Sequence, residues 1–186
     1  MSISLSQLKP SLTIVYNNQP YIILESEHAK LARGSSFVRA KIKNLITSQT
    51  LNCTLRDSDK INPAFIERKK LIFSYQDGQY YHFLDSKSYE DFILHQERIE
   101  DKAKYLKENL ELSGLFYENK LINLELPASI ILKVAKTAPG FRGNTVKSGT
   151  KPALLETGLA VDVPLFIKNE DLIKIDTRNQ QYLERA

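Results

Sequence analysis

Arg33, Arg39, Lys41 and Lys43 are the residues of this chain whose types and spacing point most directly to chemistry, and that chemistry is anion recognition. They fall within Ser26 to Lys43, reading SEHAKLARGSSFVRAKIK. One arginine stands in a polar crest, Leu31-Ala32-Arg33-Gly34-Ser35-Ser36, with Lys30 just before it. Three further cations then alternate with Val38, Ala40 and Ile42. Period-two alternation puts Arg39, Lys41 and Lys43 on one face of a strand and the apolar residues on the other. Alternate side chains of a strand lie about 7 Å apart, close to the spacing of phosphates along one nucleic-acid strand. An ordinary half-buried sheet gives the same alternation, so the letters alone leave both readings open.

Other chemistries lack their residues. Cys53 is the only cysteine and sits in LNCTL, alternating with Leu51 and Leu55 as a strand residue would. His28, near the crest, has no Cys or carboxylate companions at metal-ligand spacing. His82 reads as structural within an aromatic strand, and His95 as part of a polar connector. Neither a nucleophile-base pair, a phosphate loop nor a dinucleotide fingerprint is present. The expectation is a protein that is not an enzyme, with no metal and no cofactor.

The elements that must position these cations read as strands. Leu12 to Tyr16, the turn Asn17-Asn18-Gln19-Pro20 and Tyr21 to Leu24 form a hairpin. The Arg33 hairpin follows, then a turn over Asn44 to Ser48 and a strand over Leu51 to Leu55. The polar cluster Asp57 to Pro63 closes a first domain, residues 1–62. The second, residues 63–127, opens with a strand over Phe65 to Tyr75. It turns at Gln76-Asp77-Gly78-Gln79, where Asp-Gly supplies positive dihedrals, and returns over Tyr80 to Leu84. Tyr75, Tyr81 and Phe83 are expected to cluster across these strands. Ile99, Ala103, Leu106 and Leu110 are spaced as on one amphipathic helix. A hairpin over Leu115 to Leu126 ends at Pro127. The third domain, residues 128–186, carries strands over Ala128 to Ala135, Leu154 to Glu156, Leu159 to Leu165 and Leu172 to Asp176. Gly158 and Pro164 mark a bulge and an edge. A second basic crest lies between the first two of those strands: Arg142, Gly143, Asn144, Thr145 and Lys147, with Lys151 beyond. The fold class is mainly β, three small barrels with one short helix in the middle.

The 186 residues carry a net charge of +4, distributed as +4, −3 and +3 over the three segments. Basic ends around an acidic middle suit a molecule that grips nucleic acid at both ends, and also one with scattered charge. No apolar run approaches the roughly 18 residues of a membrane span. The start, MSISLSQLKP, lacks the features of a secretory signal, and the lone cysteine fits a reducing, cytoplasmic compartment.

Thr150 to Ile167, TKPALLETGLAVDVPLFI, resembles the C-terminal signature of bacterial elongation factor P, with its Lys-Pro-Ala, Glu-Thr-Gly and Val-Pro pieces in order. Thr137 to Thr145, the Tyr75 to Phe83 hairpin, Leu124 to Pro127 and Ser26 to Leu45 follow the same family, so the resemblance runs nearly end to end. It implies an N-terminal SH3-like barrel of the KOW class followed by two OB-type barrels. It also implies a translation factor that sits on both ribosomal subunits between the peptidyl and exit sites. Such a factor contacts the peptidyl-tRNA acceptor end and relieves stalling at consecutive prolines, as a cytoplasmic monomer. Lys30, Leu31, Ala32, Gly34 and Ser35 would surround a tip residue, Arg33, entering the peptidyl-transferase centre. Arg39, Lys41, Lys43 and the second crest would contact RNA. The family's usual tip is a lysine inside Pro-Gly-Lys-Gly. Here it is Leu31-Ala32-Arg33-Gly34, as in branches whose arginine is rhamnosylated by a dedicated transferase. A guanidinium cannot accept lysylation as an amine does. Gly143-Asn144-Thr145 replaces the common Gly-Asp-Thr. A paralogue with other stalling motifs, or a general single-stranded RNA-binding OB protein, are the alternative readings.

Overall fold

The computed structural model describes residues 3–29, 36–56, 58–139 and 149–186, and everything below concerns these. The described chain is mostly strand. The first sheet contains β1 (Thr13–Tyr16), β2 (Gln19–Ala29), β3 (Phe37–Asn44), β4 (Thr50–Arg56) and β5 (Asn62–Pro63), in the order β4-β3-β2-β1-β5. Asn17 and Asn18 take φ of 48° and 60°, the left-handed pair that a tight hairpin between β1 and β2 requires. The buried faces of these strands (Ile14, Ile23, Val38, Ala40, Ile42 and Leu55) form one core.

The second sheet contains β6 (Glu67–Asp77), β7 (Tyr80–Asp85), β8 (Asp91–His95), β9 (Glu111–Tyr117) and β10 (Lys120–Glu125), ordered β10-β9-β6-β7-β8. A single turn of helix, α1 (Gln96–Ile99), runs into a 3-10 segment over Glu100–Tyr105. The third sheet contains β11 (Ser129–Thr137), β12 (Thr150–Leu155), β13 (Ala160–Pro164), β14 (Leu172–Asp176) and β15 (Tyr182–Arg185), ordered β13-β12-β11-β14-β15. By compactness the chain divides into two units, Met1–Lys69 with Gly114–Leu124, and Lys70–Ser113 with Glu125–Ala186.

One loop recurs in all three sheets. A buried Asn or Asp ends a strand, and its main-chain N–H donates to the residue five places on: Asn44 to Gln49 at 2.8 Å, Asp85 to Glu90 and Asp176 to Gln181 at 2.9 Å. The side-chain Oδ1 accepts main-chain N–H groups inside the loop. Asn44 takes Ile46 and Thr47, Asp85 takes Lys87 and Ser88, and Asp176 takes Arg178. The last loop residue is left-handed each time, Ser48 at 60°, Tyr89 at 58° and Gln180 at 61°. An Asx side chain satisfies donors that would otherwise be stranded at a buried strand end, which is why a polar residue is kept there.

Several expectations change. The helix begins earlier than the Ile99-to-Leu110 spacing suggests and is over by Tyr105; Leu106 and Leu110 are buried but not helical. Asp77 is a strand residue paired with Tyr80, and only Gly78, at φ 56°, supplies a positive dihedral. Tyr75 does not join Tyr81 and Phe83. A register shift between Phe73 and Tyr75 turns it to the opposite face, and Phe73 takes its place, 6.0 Å from Tyr81 and 5.5 Å from Phe83 between ring centroids. Gly158 lies in the turn between β12 and β13 at φ 83° rather than in a bulge. His95 ends β8 instead of lying in a connector.

Candidate nucleic-acid interface

The stem that carries Arg33 is built from β2 and β3, paired antiparallel from Tyr21↔Asn44 out to Ala29↔Phe37, with a bulge between Ile23 and Glu25. The alternation of β3 sorts as its letters suggest. Val38, Ala40 and Ile42 are buried, Arg39 is exposed, and Lys41 and Lys43 are half-buried on the other face. The tip residues Lys30, Leu31, Ala32, Arg33, Gly34 and Ser35 lie outside the described residues, as do Arg142, Gly143, Asn144, Thr145 and Lys147.

The cations do not stand alone. Lys41 Nζ is 3.2 Å from Glu25 Oε1, and Arg39 lies opposite Glu27 across the ladder, with its guanidinium carbon 5.8 Å from the Phe37 ring centroid. Asn52 and Thr54 of β4 complete this face, facing Lys41 and Arg39 in register. Together they bound an open depression of mixed charge. Two of the three cations in the row, Arg39 and Lys41, therefore have a carboxylate opposite them, while Lys43 lies between Ile22 and Thr50. Sequence reasoning missed Glu25 because the β2 bulge breaks the simple period there, though Glu27 opposite Arg39 could have been found from the hairpin alone.

Lys151 takes a different place from the rest. It is 8% exposed, and its ammonium donates to the Ala138 carbonyl at 2.6 Å. That bond braces the end of β11 against β12, so Lys151 is not part of an open cationic surface. Among the cations assigned to RNA and described here, Arg39, Lys41 and Lys43 are brought together on one strand, and Lys151 is spent on structure.

The remaining reactive side chains are held in ordinary roles. Burial, and secondarily the Asp59 charge, pushes the Cys53 thiol above its usual pKa, which makes it a poor nucleophile at neutral pH. His28 Nε2 lies 3.1 Å from the Leu8 carbonyl. Among the described residues no three His, Cys, Asp or Glu side chains gather as a metal site, and no helix is long and apolar enough to cross a membrane. The β2–β3–β4 face presents a polar surface of alternating cations and carboxylates on a paired antiparallel sheet.

Three family models match in tandem: the elongation factor P KOW-like domain over residues 4–61, the elongation factor P OB domain over 66–124, and the elongation factor P C-terminal domain over 130–185. The elongation factor P of Dictyoglomus turgidum is 44% identical, covering 99% of this chain and 100% of its own. That of Moorella thermoacetica is 42% identical over the same shares, and that of Aquifex aeolicus 39% identical, covering 99% and 96%. Among solved structures, the eukaryotic translation initiation factor 5A from Methanococcus jannaschii superposes with a TM-score of 0.52 at 17% identity. It covers 67% of this chain and 93% of that one, a likeness of fold. On full-length identity and three matched domains in order, the chain belongs to the elongation factor P family of translation elongation factors.

Proposed function

We propose that this chain binds the ribosome between the peptidyl and exit sites and steadies the acceptor end of peptidyl-tRNA, so that peptide bonds form through consecutive prolines. The observation that carries the reading is the full-length similarity to elongation factor P, joined to a long β2–β3 ladder whose last pair, Ala29↔Phe37, brackets in sequence the segment that contains Arg33. Proline is a poor acceptor because its nitrogen is secondary and its ring fixes φ. A factor that orients the ester and amine lowers an entropic barrier without doing bond chemistry itself. Arg33 is the tip that enters the peptidyl-transferase centre, with Lys30, Leu31, Ala32, Gly34 and Ser35 shaping it. Arg39, Lys41 and Lys43 run along the stem toward tRNA. Arg142, Gly143, Asn144, Thr145 and Lys147 form the second contact, toward the small subunit.

Arg33 is also the modification site in this reading, with a deoxyhexose added by a rhamnosyltransferase. The chain works as a cytoplasmic monomer divided at about residues 62 and 127. Peptide mapping of protein from its native host should find a deoxyhexose-sized increment on the Arg33 peptide, and a bare Arg33 in active protein would exclude it.

The decisive test is synthesis of polyproline and proline-free peptides in a reconstituted system, with wild type and Arg33→Ala. The reading expects a gain on the polyproline message alone, reduced by the substitution. A general single-stranded RNA binder would treat both messages alike and ignore Arg33. Exposed Tyr75 and Tyr80 on the middle sheet are the feature such a binder would share, but Asp77 stands opposite Tyr80, and Asp91 and Glu97 pair with the adjoining His82 and His95.

A further inference from the structure

The outer face of β6, β7 and β8 carries an aromatic surface that ribosome attachment through the two basic ends leaves unused. Tyr80 lies opposite His95, and His82 opposite Ile93. Tyr75 joins them from β6, because the bulge after Phe73 sets it opposite His82. Tyr75 stacks flat on His82, ring centroids 4.3 Å apart and planes at 10°, while Tyr80 meets His95 edge-on at 5.4 Å. Both imidazoles are held in place: His82 Nδ1 is 3.0 Å from an Asp91 carboxylate oxygen, and His95 Nε2 is 3.0 Å from Gln79 Oε1. Yet Tyr75, Tyr80 and Ile93 are 50%, 53% and 53% exposed.

Ring pairs fixed before binding lose little freedom on binding. A surface rich in Tyr and poor in Lys has the composition of an interface centre rather than of ordinary solvated sheet.

Charge then selects the partner. Asp77 stands opposite Tyr80, Asp91 holds His82, and Glu97 lies 3.6 Å from His95. The register rows through these rings, Tyr75–His82–Ile93 and Asp77–Tyr80–His95, contain no lysine or arginine. On the Tyr75 side Lys104 and Lys107 line a shared depression, the Lys107 ammonium donating to the Ile131 carbonyl at 2.6 Å. Surfaces that stack single-stranded nucleic acid combine rings with cations for the phosphates; at the Tyr80–His95 end the neighbours are Asp77 and Glu97, which would repel phosphate. Aromatic faces beside carboxylates are instead what a guanidinium takes, stacking on the ring and pairing with the acid.

We propose that the outer face of β6–β8 is a docking surface for a cationic, arginine-bearing segment of a partner protein. The surface belongs to the middle of the chain, and its test is independent of whether Arg33 reaches the peptidyl-transferase centre.

The test is an NMR titration of the full-length protein with a short Arg-Gly repeat peptide, its Lys-Gly counterpart and an oligouridylate. The Arg-Gly peptide is expected to shift the Tyr75, Tyr80, His82 and His95 signals and to bind more tightly than the Lys-Gly peptide. Tyr80→Ala and Asp77→Lys should each weaken it by roughly fivefold or more, a difference of about 1 kcal/mol. Both positions are exposed, so the spectra of the variants report whether the fold is kept. Shifts centred elsewhere, variants that bind as wild type does, or stronger shifts at the same signals from oligouridylate would overturn the proposal.

Discussion

Replacing Glu25 and Glu27 together by glutamine should strengthen attachment to the ribosome while leaving stability nearly unchanged. The two effects come from the same geometry. Lys41 and Glu25 are 3.2 Å apart, but their side chains are 44% and 71% exposed, so the pair is a surface ion pair. Such pairs contribute about 0.2–1 kcal/mol, and the loss here belongs at the lower end because neither partner is desolvated. Binding responds differently. A phosphate held by Lys41 or Arg39 would lie about one alternate-residue spacing, roughly 7 Å, from the neighbouring carboxylate. In water that repulsion is about 0.6 kcal/mol, reduced to roughly 0.25 kcal/mol at physiological salt. Two carboxylates, each facing one or two phosphates, then oppose binding by about 0.5–1 kcal/mol, equivalent to about two- to fivefold in affinity. The assay is equilibrium binding of a fluorescently labelled double variant to ribosomes across a salt series, with thermal unfolding alongside. The gain should shrink as salt rises. A double variant that binds more weakly than wild type, or whose gain does not respond to salt, would refute the idea that this face meets RNA.

Three further outcomes test the fold that holds the site. Phe83→Ala removes a fully buried ring packed on Phe73 and should cost about 3–5 kcal/mol by urea denaturation, whereas a loss below about 1 kcal/mol would mean the ring is not in the core. The Arg178 side chain and main chain hold the Asp176 carboxyl down to about 2. That pKa is depressed relative to the unfolded chain, so the associated stability is fully present above about pH 4 and is lost as pH falls through about 2. Asp176→Asn should therefore flatten acid unfolding over that window, and an unchanged profile would contradict the pairing. Gly158→Ala, at φ 83°, should destabilise by about 1 kcal/mol from backbone strain alone, read from the shift in thermal midpoint.

What could be read from the letters was whatever local physics dictates. Asn17-Asn18 announces a left-handed turn, and Val38-Arg39-Ala40-Lys41-Ile42 announces two faces, because turn dihedrals and strand period are set by adjacent residues. Elements without such markers were missed. Asp91 to His95 places three apolar residues in a row and does not alternate, and Tyr182 to Arg185 is nearly all exposed, yet both complete ladders begun elsewhere. The helix was displaced because Leu106 and Leu110 are buried for reasons other than helical period. The bulges were the most costly omission. One moved Glu25 beside Lys41, and another turned Tyr75 away from Phe83. Neither leaves a mark in the sequence, since a bulge is fixed by how two strands meet. The loop shared by Asn44, Asp85 and Asp176 was hidden for a related reason: the three copies share little beyond an Asn or Asp at the strand end and a Gln or Glu five places on.

The most direct test of the account places a probe at the tip itself. The chain has a single cysteine, so Cys53→Ala with Ser35→Cys gives one thiol beside Arg33 for a tethered iron chelate that cleaves nearby RNA. With the labelled protein bound to ribosomes carrying peptidyl-tRNA, cleavage should fall in the large-subunit RNA lining the peptidyl-transferase centre. Cuts confined to the small subunit, or none from protein that is demonstrably bound, would contradict the placement of Arg33 on which the mechanism depends.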